Sequence, residues 1–377
     1  MPVRTRTVTE LMTSAGHEQV VFVADARVGL RAIIAIHSTA LGPSLGGVRF
    51  SRYASEREAL ADALALSEAM TRKAAMAGLH QGGGKAVVFW NDPDRARSAE
   101  LLHALGAAID ELGGRYLAAE DVGATTADMD GLADVTPWVT GVSESRGGSG
   151  DPSPVTAFGV VHAMRAVCTQ LDGDVSLRDR RVVVHGIGHV GAHLVRLLVA
   201  EGAEVVVADV LAPRALALAS ELDLTVVAND DALRAPCDIL SLNALGGVLD
   251  HETIPSLQCR AVVGAANNQL GAHDADRELA ERGIVFAPDF VASAGGIINL
   301  AEEFTGYDRS RALAHAAQIE ATTARVLADA ATRGVTPQRA AVDLARQRVE
   351  VEGKGRRWMP GDPAAWTHGE PLTRLRP

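Results

Sequence analysis

Two lysines and an aspartate carry the chemistry for which this sequence has the parts. In MTRKAAMAGLHQGGGKAVV (70–88), Lys73 stands near the end of an amphipathic helical stretch. Lys85 follows three glycines, Gly82 to Gly84, and opens an apolar strand. Glycine has no Cβ, so backbone or ligand can come close to such a turn. A lysine held against it and followed by Ala-Val-Val-Phe-Trp is poorly solvated. Desolvation and a nearby second cation both lower an ammonium pKa, which makes the amine a usable base near neutrality. Taken alone, Gly-Gly-Gly-Lys more readily describes a surface lysine after a turn. The third group lies in RYLAAEDVGATTADMD (115–130), where Tyr-Leu-Ala-Ala ends in Glu120 and Asp121. Acids at the C-terminal end of a strand often face a ligand crevice. They serve equally well as caps for a following helix.

A second motif points to a cofactor. RRVVVHGIGHVGAHLVRLLVAEGAEVVVADV (180–210) reads as strand, Gly186-x-Gly188-x-x-Gly191, helix, then a strand ending in Asp209. The glycines permit a tight turn, close approach of a pyrophosphate and a helix–strand contact. The helix N-terminus receives the phosphates, and the acid takes the ribose hydroxyls. An acid there repels a 2′-phosphate, so NAD is expected rather than NADP.

Regular elements must position these groups. VVFVAD (20–25) and LRAIIAIHS (30–38) read as strands of one sheet. GPSLGGVRF (42–50) reads as a loop because of Gly42, Gly46 and Gly47. Ser55 and Glu58 form a capping box, starting a helix that carries Leu60, Leu64, Leu66 and Met70 toward Lys73. A helix over about 94–112 stops at Gly113-Gly114. VSESRGGSGDP (142–152) marks a hinge, and a proline-led helix follows it (152–171). Beyond the glycine motif, LTVVAND (224–230), CDILSLNALGG (237–247), CRAVVGAANNQL (259–270) and GIVFAPDFVASAGGIINLAEE (283–303) continue a strand–helix alternation. That alternation predicts a doubly wound parallel sheet. An Ala-rich helical region (311–332) and a helix over about 337–351 come next, then a Pro-rich, patternless tail.

Composition sets the class. The 377 residues are 47% hydrophobic and only 4% aromatic, which suits two close-packed α/β domains. The formal net charge is -11 with no long basic block, so no nucleic-acid partner is expected. Cys168, Cys237 and Cys259 show neither metal-ligand spacing nor an even count for a disulfide framework, and no metal is expected. No apolar run approaches the roughly 18 residues that span a bilayer. The N-terminus lacks a signal-peptide core. A cytoplasmic protein with no membrane partner is the expectation.

Seven blocks taken in order resemble the glutamate/leucine/phenylalanine/valine group of amino acid dehydrogenases, and look nearest to the leucine and valine enzymes. The blocks are LRAIIAIHSTALGPSLGGVRF, MTRKAAMAGLHQGGGKAVV, AAEDVGATTADMD, PSPVTAFGV, VVVHGIGHVG, GAANNQL and APDF with SAGGIINLAEE. The resemblance implies an α/β fold of two domains with the active site in the cleft between them. Residues 1–148 would form the substrate, dimerisation-type domain and 149–305 the Rossmann NAD domain. Residues 306–352 would be helices returning to the substrate domain. The tail, 353–377, would be mobile or an arm ordered by a neighbouring subunit. A homo-oligomer is implied.

It also implies roles. Lys73 would hold the substrate α-carboxylate, Lys85 would activate water, and Asp121 would exchange protons with the amino group. Asn267 would contact substrate, with Asn268 beside the cofactor. Gly46 and Gly47 would line the site next to Leu45, and Thr156 would lie near the nicotinamide. The reaction implied is reversible NAD-dependent oxidative deamination of an L-amino acid to a 2-oxo acid and ammonia. The bottom-up chemistry agrees: that reaction needs a carboxylate anchor, a tuned base and an anion near the amine. By the family pattern the side-chain pocket would comprise Leu45, Ala119, Ile297 and Leu300. The glutamate enzymes have a lysine at the position of Leu45, so a γ-carboxylate would be buried here without a partner. A branched-chain substrate, valine or leucine, is expected. The alternatives are an aromatic substrate, or a weakly active NAD-binding relative that regulates. Two departures from the family pattern are Ser241-Leu-Asn-Ala-Leu-Gly246, in place of Ala-Pro-Cys-Ala-Leu-Gly, and Ser293 in place of asparagine.

Overall fold

The computed structural model describes residues 6–92 and 97–354, and these divide into two compact units. The first comprises the residues up to Asp151, then 300–308, then those from 345 onward. The second comprises 152–299 and 309–344.

The first unit contains α1 (Val8–Ala15), β1 (Gln19–Asp25), β2 (Leu30–Ser38), β3 (Ser44–Ser51), α2 (Glu56–Met76), β4 (Gly82–Phe89), α3 (Ala99–Asp110), β5 (Tyr116–Glu120) and α4 (Thr126–Ala133). Its five strands lie in the order β1-β2-β4-β3-β5. β2 runs antiparallel to both β1 and β4, whereas β3 is parallel to both β4 and β5. Both faces of the middle strands are covered, which is why they read as continuous apolar runs rather than alternating ones. Ile34, Ile36, Val48, Phe50, Ala86 and Val88 face α3 and α4, and meet Leu101, Leu105, Ile109, Met129 and Leu132. On the other face Ile33, Ala35 and Val87 meet Ala59, Leu60, Ala63 and Leu64 of α2.

The structure corrects the reading of GPSLGGVRF as a loop. Ser44–Ser51 form β3, hydrogen-bonded on both sides. Its glycines are present because neighbouring strands crowd it, not because the chain turns. A Cβ on Gly46 would overlap the Gly84 carbonyl oxygen, and one on Gly47 would lie 2.5 Å from Asp121 Cβ. The capping box at α2 is half made. Ser55 accepts from the Glu58 amide, but the Glu58 carboxylate takes the Ala54 amide at 2.8 Å instead of that of Ser55.

The second unit opens with α5 (Ser153–Asp172), β6 (Arg181–His185), α6 (His189–Ala200), β7 (Glu204–Ala208), α7 (Ala212–Leu222), β8 (Thr225–Val226), β9 (Cys237–Leu242), β10 (Cys259–Val262), α8 (Ala275–Glu281), β11 (Val285–Phe286) and α9 (Asp289–Ala292). Then come α10 (Gly295–Ala301), whose last two residues belong to the first unit, α11 (Arg309–Ala317), α12 (Ile319–Arg333) and α13 (Pro337–Glu352), whose residues from 345 onward belong to the first unit. The six strands are parallel, in the order β11-β10-β9-β6-β7-β8. The order reverses between β6 and β9, which is where doubly wound sheets bind ligands.

The Ala-rich stretch expected as one helical region is two helices, α11 and α12, broken at Gln318. Both pack on α5 within the second unit, and residues 309–344 belong to that unit rather than returning at 306. A small-residue helix surface lets helices approach closely, and α5 presents a partner for it in Gly159, next to Ile319 Cδ1. The expected tail lies, apart from its first two residues, outside the described residues. No helix among the described residues is long and apolar enough to cross a membrane.

Candidate active site

β4 and β5 bring Lys85 and Asp121 together. Lys85 is the fourth residue of β4, and its Nζ lies 2.7 Å from Asp121 Oδ2; the two side chains are 4% and 21% exposed. Asp121 immediately follows β5. The close approach of its Cβ to Gly47 is what the missing side chain of β3 permits. Burial pushes the Lys85 ammonium pKa down. Asp121 pulls it back up, and Arg49 adds to the depression. Burial alone would raise the Asp121 carboxyl, but the Lys85 and Arg49 cations outweigh it and hold it at about 2. At neutral pH Asp121 is therefore a persistent anion. Lys85 is the group whose proton can be given up.

Lys73 lies in the last turn of α2. Two residues earlier, the Thr71 amide and hydroxyl sit against Gly83 of β4, where a Cβ would strike them. Leu45 and Ala119 are buried on β3 and β5, with Gly46 paired to Ala118 and Gly47 to Ala119. Tyr116, fully buried, donates its hydroxyl to the Gly46 carbonyl at 2.7 Å and braces this part of the sheet from beneath. Leu300 is brought to the same region. Its carbonyl accepts from Thr140 Oγ1 at 2.8 Å, and a Cβ on Gly141 would lie 3.2 Å from Leu300 Cδ2. Glu303 accepts the Gly141 amide at 3.0 Å and the Ser149 amide at 2.8 Å, so the segment carrying Leu300 is tied down by a half-buried carboxylate.

Sequence reasoning missed Arg49, Asp62 and Tyr53. Arg49 Nε lies 2.8 Å from Asp121 Oδ2 and Nη1 lies 3.1 Å from Asp62 Oδ2. Tyr53 donates its hydroxyl to Asp62 Oδ2 at 2.7 Å. Once Ser44–Ser51 is known to be a strand, its period of two puts Leu45, Gly47 and Arg49 on one face. That alternation was the available signal. A compositional signal also went unused: of the 36 lysines and arginines, only Lys73, Lys85 and Lys354 are lysines. Arginine cannot be deprotonated in a protein, so a required base must stay lysine.

In the second unit the glycine turn has the geometry of a phosphate cradle. Gly186 adopts φ +101°, which an L side chain rarely accepts, and a Cβ on Gly191 would overlap the Gly186 carbonyl. Gly188 has nothing within 4 Å of an added Cβ. Asp209 accepts from the Ile187 amide at 2.6 Å and from the Leu211 amide at 2.7 Å, so its carboxylate is fixed against the turn. Val210 beside it is 77% exposed and apolar, giving a 2′-phosphate no counter-charge. These residues fit a dinucleotide.

The departure at Asn243 proves structural. Its amide nitrogen donates to the His185 carbonyl at 2.8 Å, and its side-chain oxygen accepts the Ala265 amide at 3.1 Å, tying the ends of β6, β9 and β10. Asn268 has φ +54° and donates its amide to the buried Asp289 carboxylate. Asn267 precedes it, and its carbonyl lies against Gly246. Thr156 sits against Gly296, next to Ile297. The Ser293 hydroxyl is buried with no hydrogen-bond partner among the described residues.

A lysine primed to lose its proton beside a fixed anion, in a chain that also carries a dinucleotide fold, is the equipment of a nicotinamide-dependent dehydrogenase. Comparison with known proteins narrows the class. The family profile described as Glu/Leu/Phe/Val dehydrogenase, dimerisation domain, matches residues 17–138. The profile described as Glutamate/Leucine/Phenylalanine/Valine dehydrogenase matches 147–210 and 214–354. The chain belongs to this family of amino acid dehydrogenases. It is 50% identical over 345 residues to a valine dehydrogenase of Streptomyces albus, covering 91% of this chain and 94% of that one. It is 44% identical over 347 residues to a leucine dehydrogenase of Thermoactinomyces intermedius, covering 92% and 94%. Among solved structures, L-tryptophan dehydrogenase from Nostoc punctiforme superposes with a TM-score of 0.81 at 36% identity, covering 91% of this chain and 99% of that one.

Proposed function

We propose that the chain catalyses reversible NAD-dependent oxidative deamination of an aliphatic L-amino acid, valine or leucine, to the 2-oxo acid and ammonia. The observation that carries this reading is the buried Lys85–Asp121 pair at 2.7 Å. Lys73 would hold the substrate carboxylate. Asp121 would hold the amino group as a hydrogen-bonded anion. A carboxylate kept at about 2 binds an ammonium well but takes its proton poorly, so proton removal falls to neutral Lys85. Gly186, Gly188 and Gly191 would receive the NAD pyrophosphate, Asp209 the ribose, and Thr156 and Asn268 would flank the nicotinamide end. The bound nicotinamide supplies the hydride acceptor for substrate Cα. Once Lys85 has released that first proton to solvent, it would be free to take another from the water that adds to the resulting imine carbon.

The substrate class rests on Leu45, Ala119, Ile297 and Leu300, all aliphatic and buried, and on the names of the Streptomyces and Thermoactinomyces relatives. One methylene is worth only ~1–3 kcal/mol of discrimination, so a preference rather than exclusivity is expected. A homo-oligomer with small-molecule partners alone is part of the same reading. The test follows NADH formation with a panel of L-amino acids at alkaline pH, then NADH consumption with 2-oxo acids plus ammonia. Valine or leucine should give the highest kcat/KM. A higher value for phenylalanine or tryptophan would replace the aliphatic assignment. Silence in both directions would leave a nucleotide-binding regulator.

A further inference from the structure

We propose that Arg49 is a positioning residue for the deamination site: it shares Asp121 Oδ2 with Lys85 and so leaves Oδ1 as the oxygen offered to the substrate amino group. The proposal rests on the functional reading above. Arg49 Nε and Lys85 Nζ lie 2.8 Å and 2.7 Å from that one oxygen. No donor among the described residues bonds to Oδ1. A carboxylate free to rotate would present either oxygen. Two cations arriving from β3 and β4 on the same oxygen set its plane. Arg49 is itself held at its far end, where Asp62 of α2 accepts from Nη1 at 3.1 Å and from Tyr53 at 2.7 Å. The planar guanidinium can bridge two carboxylates in this way, which a single amine cannot.

Charge counting explains why a second cation is present. Lys85 is faced by Asp121 after β5, by Arg49 from β3 and by Asp62 from α2, the helix that also carries Lys73; Tyr53, just before that helix, joins the group through its bond to Asp62. With Lys85 protonated, the group Lys85, Arg49, Asp121 and Asp62 is neutral. When Lys85 gives up its proton the group carries one negative charge, which a substrate ammonium cancels. Without Arg49 the same group would already be negative with Lys85 charged, and Lys85 would keep its proton. Arg49 therefore has two consequences for one placement: it orients Asp121, and it lets Lys85 be neutral when the amino acid binds.

The test compares Arg49→Met, Arg49→Lys and Asp62→Asn in the full chain. The readouts are the pH profile of kcat/KM for deamination and the titration of Lys85 by 13Cε-lysine NMR, which the three-lysine composition keeps simple. Arg49→Met should lower kcat/KM by about a hundredfold and move the acid limb, and the Lys85 midpoint, up by roughly one to two pH units. KM for NAD should not change. Arg49→Lys should return the limb to its wild-type place while restoring only part of the rate. Asp62→Asn should move the limb the other way. A strut with no electrostatic part would lower rate or stability and leave the limb still. An unmoved limb in Arg49→Met, or shifts of the same sign in Arg49→Met and Asp62→Asn, would overturn the proposal. If Arg49→Met fails to fold, Arg49→Lys and Asp62→Asn carry the comparison. If the wild type deaminates no amino acid, the functional reading fails, and the Lys85 midpoints still decide whether Arg49 acts on Lys85.

Discussion

Gly188→Ala separates cofactor binding from folding. Gly188 is the N-cap of α6, with φ -78° and ψ -163°, an extended conformation open to alanine, and an added Cβ would meet nothing within 4 Å. Losing glycine as an N-cap costs up to about 1 kcal/mol. The narrower unfolded ensemble of alanine returns about 0.4–1 kcal/mol. Stability should thus change by less than about 1 kcal/mol. The new methyl would occupy the space through which a pyrophosphate approaches the helix N-terminus. Holding the phosphates off the backbone amides should weaken NADH at least tenfold, ~1.4 kcal/mol or more. Gly191→Ala provides the contrast. Its Cβ would overlap a backbone carbonyl that has no room to yield, so overpacking should cost roughly 1–3 kcal/mol of stability. Urea unfolding of the cofactor-free protein gives the first quantity and NADH fluorescence titration the second. Wild-type NADH affinity in Gly188→Ala would refute the placement of the cofactor at this turn. Equal destabilisation by the two variants would refute the packing argument.

Other substitutions probe the first unit. Lys85→Ala should lower kcat by about 10²–10⁴ while NADH still binds. Lys85→Arg should be as inactive, because a guanidinium keeps its proton; near-normal kcat in either would end the assignment of Lys85 as base. Gly47→Ala would drive a Cβ to 2.5 Å from Asp121 Cβ, and an Asp121 displaced by about 1 Å should cost roughly a hundredfold in kcat/KM. A Gly47→Ala enzyme of wild-type kcat/KM would show that Asp121 needs no such precision. Half-buried His37 predicts an acid limit to stability. His37, bonded to Thr71 Oγ1 at 2.8 Å and stacked edge-on to His17, has its pKa lowered by burial from 6.5 to about 4, with His17 and Arg72 adding to the shift and Glu68 opposing it. The unfolded chain binds the proton more tightly. The contribution is therefore complete above about pH 6.5 and is lost as pH falls toward 4, to the extent of ~3 kcal/mol. Urea midpoints measured across that range should fall, and His37→Gln should flatten the dependence. An unchanged slope in that variant would assign the acid limit to other groups.

Local signals were legible wherever short-range chemistry dictates structure. The strand–glycine–helix–strand–acid order of 180–210 could be read because tight turns, helix starts and buried parallel strands each demand particular residues close in sequence. Lys85 and Asp121 were legible as residue types at the ends of apolar strands. Three things were not legible. β3 was hidden because Gly46 and Gly47 look like turn residues until Gly84 and Asp121 are known to press against them. The tie from Glu303 to Gly141 and Ser149 spans more than 150 positions of chain. Arg49 looked like an ordinary charge because its partners, Asp62 and Asp121, lie 13 and 72 positions away.

The residues by themselves therefore determined the inventory: two lysines, an acid and a glycine turn on a parallel sheet. Only the tertiary structure decided which cations share the Asp121 carboxylate and on which oxygen. Side-chain type sets what a group can do, but its charge state and orientation depend on neighbours a few ångströms away. Those neighbours come from strands and helices that only the packed sheet brings together.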